Sequence, residues 1–183
     1  MSAIERRTML CGSALAGASF LLPRRGHGAR DPRRIKTVSI FHTTDLHGHI
    51  RPTRTYRGIT YVGGLARCAS QIRQWRKTNP HSLLLDMGDV YQGTAVGWIT
   101  RGRLMIDLFN KLQYDAWVLG NHEFDWGPEV VLDAVTRSAM PVLTGNINLE
   151  GKPSGTLGDS SHPLARIVPH LVKTVAGFRI GLI

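Results

Sequence analysis

The spacing of apolar residues changes period several times along the chain. Lys36–His42 is β-branched and aromatic and is flanked by polar residues, which predicts a strand. Residues 43–62 are rich in Thr, Arg and Gly and read as a long loop. From Gly63-Gly64 to about Lys77, Leu65, Cys68, Ile72 and Trp75 recur at helical spacing, and Asn79-Pro80 ends the run. Ser82–Asp86 is a short apolar run of the kind buried on both faces of a sheet. Met87–Gly102 reads as a loop. Leu104, Ile106, Leu108, Phe109 and Leu112 mark a second helix, and Ala116–Leu119 a third strand. Pro128–Ser138 is a third helix, with Pro128 in its first turn and Val131, Leu132 and Val135 on its apolar face. Val142–Ile147 is a fourth strand. Arg166–Thr174 and Phe178–Ile183 read as a hairpin turning at Ala176-Gly177.

Strands that alternate with helices in this way predict βαβ units on a parallel sheet, hence an α/β fold. In such sheets the chemistry collects beyond the carboxyl ends of the strands. Polar, potentially reactive residues concentrate at those places here.

Composition adds constraints. The chain has 183 residues, 42% of them hydrophobic, and a net charge of +10. That hydrophobic content excludes wholesale disorder, two Cys exclude a disulfide scaffold, and no apolar run approaches the ~20 residues of a membrane span. The basicity would suggest nucleic acid, but eight basic and two acidic residues lie within residues 1–36, so most of the excess belongs to that segment. A nucleic-acid polymer is therefore not expected as a partner. Arg6-Arg7 precedes the apolar stretch Met9–Leu22, the layout of an export signal, and the paired Arg resembles a twin-arginine signal. Residues 1–35 are read as signal and linker, and the folded part as an exported or periplasmic domain. Without residues 1–35, Cys68 is the only Cys left; its helical setting reads as packing.

Three strand ends carry the candidate chemistry. After the first come Asp45 and His47, two apart, which would point the same way in extended backbone and converge like ligands of a first-row metal. After the second comes Gly88-Asp89, a weak signal alone, with the carboxylate projecting from the strand end. After the third come Asn121, a neutral oxygen ligand, and His122, whose ring Asp125 can reach back to orient and keep charged. His42, His49 and His81, Arg51, Arg54 and Arg57, Trp98 in its loop and Trp117 in its strand receive no role from the sequence. His162 and His170 read as loop and strand-surface residues.

Asp45-x-His47, Gly88-Asp89 and Gly120-Asn121-His122-Glu123 resemble the first three signature blocks of the calcineurin-like metallophosphoesterases. The longer string Gly120–Asp125, with Thr44–Gly48, Gly63–Arg67, Gln92-Gly93-Thr94 and Gly145-Asn146-Ile147, resembles their 5′-nucleotidase / 2′,3′-cyclic phosphodiesterase branch. The resemblance runs from about Val38 to Ile183. It implies a layered αββα sandwich, of which this chain carries the N-terminal βαβαβαβ portion at 36–183. It implies two divalent metal ions, drawn from Mn, Zn, Fe or Co. Asp45 and His47 would bind one ion, Asp89 would bridge both, Asn121 would bind the second, and His122 with Asp125 would form the catalytic pair. Asn146 is given no ligand role. The implied activity is hydrolysis of phosphate esters, foremost nucleotides, by attack of a metal-bridging hydroxide. A related hydrolase of a sulfur compound or sugar phosphate, or a non-catalytic fragment, is the alternative.

The family's later His ligands have no match before Ile183. The resemblance therefore implies a catalytic domain incomplete at its C-terminus. Such a chain would be close to inactive alone and marginally folded, with Phe178–Ile183 as an unpaired sheet edge.

Overall fold

The structure, a computed structural model, describes residues 36–149, 152–153 and 166–183. The expected signal and linker at 1–35, and His162, lie outside the described residues.

Five short strands form a parallel sheet: β1 (Ser39–Thr43), β4 (Ser82–Asp86), β5 (Ala116–Val118), β6 (Val142–Leu143) and β9 (Ile167–Val168), adjacent in that order. Between them run α1 (Leu65–Thr78), α2 (Ala95–Thr100), α3 (Arg103–Leu112) and α4 (Pro128–Arg137). Successive strand residues alternate between two apolar layers, as the two-residue strand period requires. Leu84, Trp117, Val142 and Ile167 face one layer with Leu65 and Ile72 of α1, Met105, Ile106 and Phe109 of α3, and Val131 and Val135 of α4. Leu83, Ala116 and Leu143 face the other. Full burial of each large side chain contributes about 1.5–3 kcal/mol, so this double coverage stabilises strands of only two to five residues.

The second layer is covered by an antiparallel ribbon, β10 (Leu171–Val175) and β11 (Phe178–Leu182), through Leu171, Val175, Ile180 and Leu182. Helices on one face and a β-ribbon on the other form the layered α/β arrangement expected from the resemblance. The expected hairpin is present, but Arg166–Thr174 is not one strand. Ile167–Val168 joins the parallel sheet, and Pro169, which has no N–H to give a ladder, separates it from β10. Phe178–Leu182 is consequently paired with β10 on one side, in a separate two-stranded sheet, and is not an edge of the parallel sheet. The parallel sheet ends instead on β1 and β9.

Two expected loops hold structure. Residues 43–62 contain the hairpin β2 (Thr53–Tyr56) and β3 (Ile59–Val62), turning at Arg57-Gly58. The β-branched and aromatic residues flanking that turn favour strands, and the surrounding Arg and Gly disguise them. Met87–Gly102 contains α2, whose Gly97 weakens it as a sequence signal. The Thr94 hydroxyl caps α2 by accepting from Gly97 N, and Arg101 ends it in the left-handed region. Two further strands, β7 (Asn148–Leu149) and β8 (Lys152–Pro153), form a small hairpin of their own, and the fourth sheet strand stops at Leu143 rather than Ile147. Among the described residues no helix is long and apolar enough to cross a membrane.

Candidate functional site

β1, β4 and β5 are neighbours with parallel register, Thr43 opposite Asp86 and Asp86 opposite Trp117. Their carboxyl ends therefore open onto one place. The β1–β4 pairing continues past the strands as a ladder between loops. Met87 N donates to the Thr43 carbonyl (2.9 Å), Asp45 N to Gly88 O (3.1 Å), His47 N to Asp89 O (2.9 Å) and Gly48 N to Val90 O (2.8 Å). This ladder brings Asp45 and His47 against Asp89, with one ligand atom from each side chain lying within 4.8 Å of the others.

Asp45 and His47 do converge, but not through extended backbone. Asp45 (φ 52°), His47 (φ 47°) and Asp89 (φ 56°) all lie in the left-handed region that ordinary residues avoid. Such conformations cost on the order of 1–3 kcal/mol each and persist where the surroundings over-determine them. Here the inter-loop ladder does so, aiming three donor groups at one point.

The donor set fits a divalent cation of the first transition row: two carboxylates and an imidazole, exposed or half-buried. His47 Nδ1 donates to the Gln92 carbonyl (3.0 Å), which leaves Nε2 as the free lone pair, 3.9 Å from Asp45 Oδ1. A second-sphere bond of this kind fixes the tautomer of a metal-ligating His.

The loop after β5 enters the site through a single 3-10 turn, His122–Phe124. His122 N donates to Asp89 Oδ1 (3.1 Å), and the His122 ring lies edge-on to His47 with centroids 5.3 Å apart. His122 Nδ1 donates to Asp125 Oδ2 (2.7 Å), and this bond raises the imidazole pKa above its ordinary value. The ring is about a third exposed, so its Nε2 is free to meet a substrate. Asn121 begins this turn, exposed beside His122.

One residue escaped the sequence reading. Glu123 is wholly buried, and its carboxylate accepts from Asp89 N (2.9 Å) and Gly120 N (2.6 Å) through Oε2 and from Val90 N (2.7 Å) through Oε1. It ties the β4 loop to the β5 loop. Burial pushes its pKa up, opposed by the three N–H groups. The only signal was its place in the string after His122. The loops also need Gly at two positions: a Cβ on Gly120 would lie 2.3 Å from Asp89 Oδ1, and one on Gly88 2.6 Å from Gly120 N.

Asp86, the last residue of β4, is likewise fully buried. It accepts from Gly88 N (2.9 Å) and from the Thr43 hydroxyl (2.6 Å), which also bonds the Tyr114 hydroxyl (2.8 Å). Burial pushes its carboxyl up to about 7.

The other candidates fall outside this cluster. His42, His49, His81 and His170 are exposed. Trp117 is buried, with Nε1 donating to Ser138 Oγ (3.0 Å), and Cys68 packs against the helix-side core. Asn146 accepts from the Thr144 hydroxyl (2.9 Å). Trp98, expected in a loop, stands on α2, and its ring meets Trp126 edge to face.

The calcineurin-like phosphoesterase family model matches residues 38–176. The chain is similar to the snake venom 5′-nucleotidase of Crotalus adamanteus, 37% identical over 151 residues, covering 80% of this chain and 25% of that one. It is also similar to the 5′-nucleotidase of Bos taurus, 39% identical over 157 residues with the same coverage. Among solved structures, a 5′-nucleotidase precursor from Thermus thermophilus superimposes with a TM-score of 0.66 at 30% identity, over 79% of this chain and 27% of that one. The chain thus spans about a quarter of the length of the relatives it matches.

Proposed function

From a chain that belongs to the calcineurin-like phosphoesterase family, and so to the metal-dependent phosphoester hydrolases, we propose a two-metal hydrolase of nucleotide phosphate esters. The observation that carries the proposal is the convergence of Asp45, His47 and Asp89 within 4.8 Å, beside a His122–Asp125 pair bonded at 2.7 Å. The similarity to 5′-nucleotidases supports the choice of nucleotide over other esters.

In this reading Asp45 and His47 hold one divalent ion, Asp89 serves both, and Asn121 contributes to the second. When bound, such a pair supplies charge neutralisation for the phosphate oxygens and lowers the pKa of a shared water toward ~7. Asp89 suits the shared position because its main chain is held on both sides, by Glu123 at its N–H and by His47 at its carbonyl. Asn121, being neutral, adds an oxygen donor without further negative charge against the phosphate. His122 faces the ester with Nε2, because its Nδ1–H is committed to Asp125, and Nε2 carries a proton in the imidazolium form. The bond to Asp125 raises the imidazole pKa and so favours that charged form, whose Nε2–H would stabilise the charge developing on a phosphoryl or leaving oxygen.

Export of the protein is part of the proposal. The names of the relatives, a venom protein and a precursor, support export, and the twin-arginine reading of residues 1–35 rests on Arg6-Arg7 before Met9–Leu22. The test of the function is hydrolysis of nucleoside monophosphate by the purified chain after chelator dialysis, with and without added Mn²⁺. Release of phosphate that requires the metal supports the reading. Measurable release that is undiminished in the metal-free sample refutes it.

A further inference from the structure

Asp86 is the last residue of β4, is wholly buried, and has no part in the chemistry described so far. We propose that it is a positioning residue for the metal centre, one that gives up its proton as a divalent cation is bound by Asp45, His47 and Asp89. The proposal rests on the metal-site part of the reading above and goes beyond it, since Asp86 acts through the loops and is not itself a ligand.

Its two oxygens hold the roots of both ligand loops. Asp86 Oδ1 accepts from Gly88 N (2.9 Å), and the carbonyl of Gly88 accepts from Asp45 N (3.1 Å). A single residue, Gly88, thus links Asp86 to Asp45, and Asp89 follows it in the chain. Asp86 Oδ2 accepts from the hydroxyl of Thr43 (2.6 Å), at the end of the strand that leads to Asp45. Gly88 has no slack: its φ is 99°, and a Cβ there would lie 2.6 Å from Gly120 N. A change in the bonds at Asp86 therefore reaches Asp45 and Asp89 through a tightly packed peptide.

The fold alone does not call for an acid at this place. An amide would accept from Gly88 N and donate to Thr43 Oγ1 without the penalty of a buried charge. What an acid adds is the ability to change charge. Burial pushes the Asp86 carboxyl up to about 7, with Glu123 from the loop after β5 and Asp45 from the loop after β1 adding to the effect, against the bonds from Thr43 and Gly88. Tyr114, just before β5, faces Asp86 through the Thr43 hydroxyl (2.8 Å). Burial keeps Tyr114 neutral, and Cys68 and Arg76 of α1 are the titratable groups that face it in turn. The cavity that Asp86 shares with β5, β6 and β11 is walled by Ala116, Val118, Leu143 and Leu182 and adds no charged side chain.

Asp86 therefore feels the charge state of the site. With a cation held by Asp45 and Asp89, the negative field that favours the acid form is cancelled, and the carboxylate is favoured instead. The O–H bond at Asp86 Oδ2 then breaks, its electron pair stays on the carboxylate, and the proton goes to water. Thr43 turns with it: in the acid form Thr43 Oγ1 accepts from Asp86, and in the carboxylate form the Thr43 hydroxyl donates to Oδ2 while accepting from Tyr114. Thr43 and Asp45 line a cavity of about 480 Å³ together with the exposed His42 and His49, which gives the proton a way out. The carboxylate makes charge-assisted bonds to Thr43 and Gly88, so the loop roots tighten when the site is filled. Linkage is reciprocal, and a proton on Asp86 weakens cation binding by the same factor.

Calorimetric titration of the full chain with Mn²⁺, in two buffers of different ionisation enthalpy, counts the protons released per ion bound. His47 contributes to that count in the wild type and in Asp86→Asn alike, so the difference between them belongs to Asp86. We expect the wild type to release about one proton more per ion than Asp86→Asn at about pH 6, and nearly the same number at about pH 8. Between these values the Mn²⁺ affinity of the wild type should gain about ten-fold more than that of the variant. Thr43→Val removes a bond that favours the carboxylate, so the midpoint of the affinity profile should move to higher pH. This second variant decides the question if Asp86→Asn does not fold. Equal proton release by the wild type and Asp86→Asn, or an unmoved midpoint in Thr43→Val, would overturn the coupling while leaving the metal site in place. No Mn²⁺ binding by the wild type would refute the metal-site reading and this proposal with it.

Discussion

Replacing Glu123 by Gln should loosen the metal centre more than the fold. The side chain keeps its shape but loses one acceptor. The Gln carbonyl oxygen is best placed where Oε2 stands, accepting from Asp89 N and Gly120 N, at 2.9 and 2.6 Å in the wild type. The amide NH₂ then faces Val90 N–H, which now donates to Oε1 at 2.7 Å. One charge-assisted bond, worth about 1.5–3 kcal/mol, is lost and two donors confront each other. Relief from burying a charge offsets part of this, leaving a destabilisation of about 2 kcal/mol. For a chain of this size that lowers Tm by roughly 4–8 °C. The affected N–H groups belong to Asp89, Val90 and Gly120, which set the Asp89 carboxylate and the start of the His122 turn. Loss of such outer support typically weakens metal binding ~10–100-fold. Thermal melts in chelator measure the first effect, and Mn²⁺ titration by calorimetry at a temperature where both proteins are folded measures the second. Tyr91→Phe serves as the control, since it removes a bond to the Glu123 carbonyl while leaving the carboxylate untouched. The reasoning is refuted if Glu123→Gln lowers Tm but binds Mn²⁺ as tightly as the wild type, because Glu123 would then be a packing residue only.

Asp89→Ala should lose more metal per chain than Asn121→Ala, measured on both purified variants, because a shared anion is removed in one case and a neutral donor in the other; equal losses would count against a shared Asp89. His122→Ala should retain metal while turnover falls ~10²–10⁴-fold; loss of metal in this variant would make His122 a ligand. Asp86 titrates near 7 in the fold against an ordinary 3.8, so between those values the folded state holds a proton that the unfolded chain has released. Stability of the metal-free protein should therefore fall as pH rises from about 4 to about 7, by about 4 kcal/mol in all. Asp86→Asn should flatten that slope, since an amide can donate to Thr43 Oγ1 and accept from Gly88 N as the protonated acid does. Denaturant melts across this range check it, and an unchanged slope would place the pH dependence elsewhere.

The sequence by itself determined the alternation of strands and helices and the three strand ends that carry the candidate chemistry. Ser82–Asp86, the helix from Leu65 and the helix from Pro128 were legible because burial on a fixed face imposes a period on the residues. Asp45, His47, Asp89 and His122 were legible as short strings, and the parallel order of β1, β4 and β5 makes strand ends meet. Only the tertiary structure decided how they meet. The positive φ angles at Asp45, His47 and Asp89 follow from a ladder between two loops, which no local pattern encodes. Glu123 became a strut only when its three donors, two of them more than thirty residues earlier in the chain, closed around it. Short elements went the same way. Ile167–Val168 is a strand because a sheet edge receives it, and α2 is a helix because Thr94 caps it. Trp98 carried no message in sequence, since a lone Trp in a loop is uninformative. Only the fold sets it edge to face against Trp126 and brings both, with Asp125, to line one cavity, because a pocket is a property of distances between segments that the linear order leaves free.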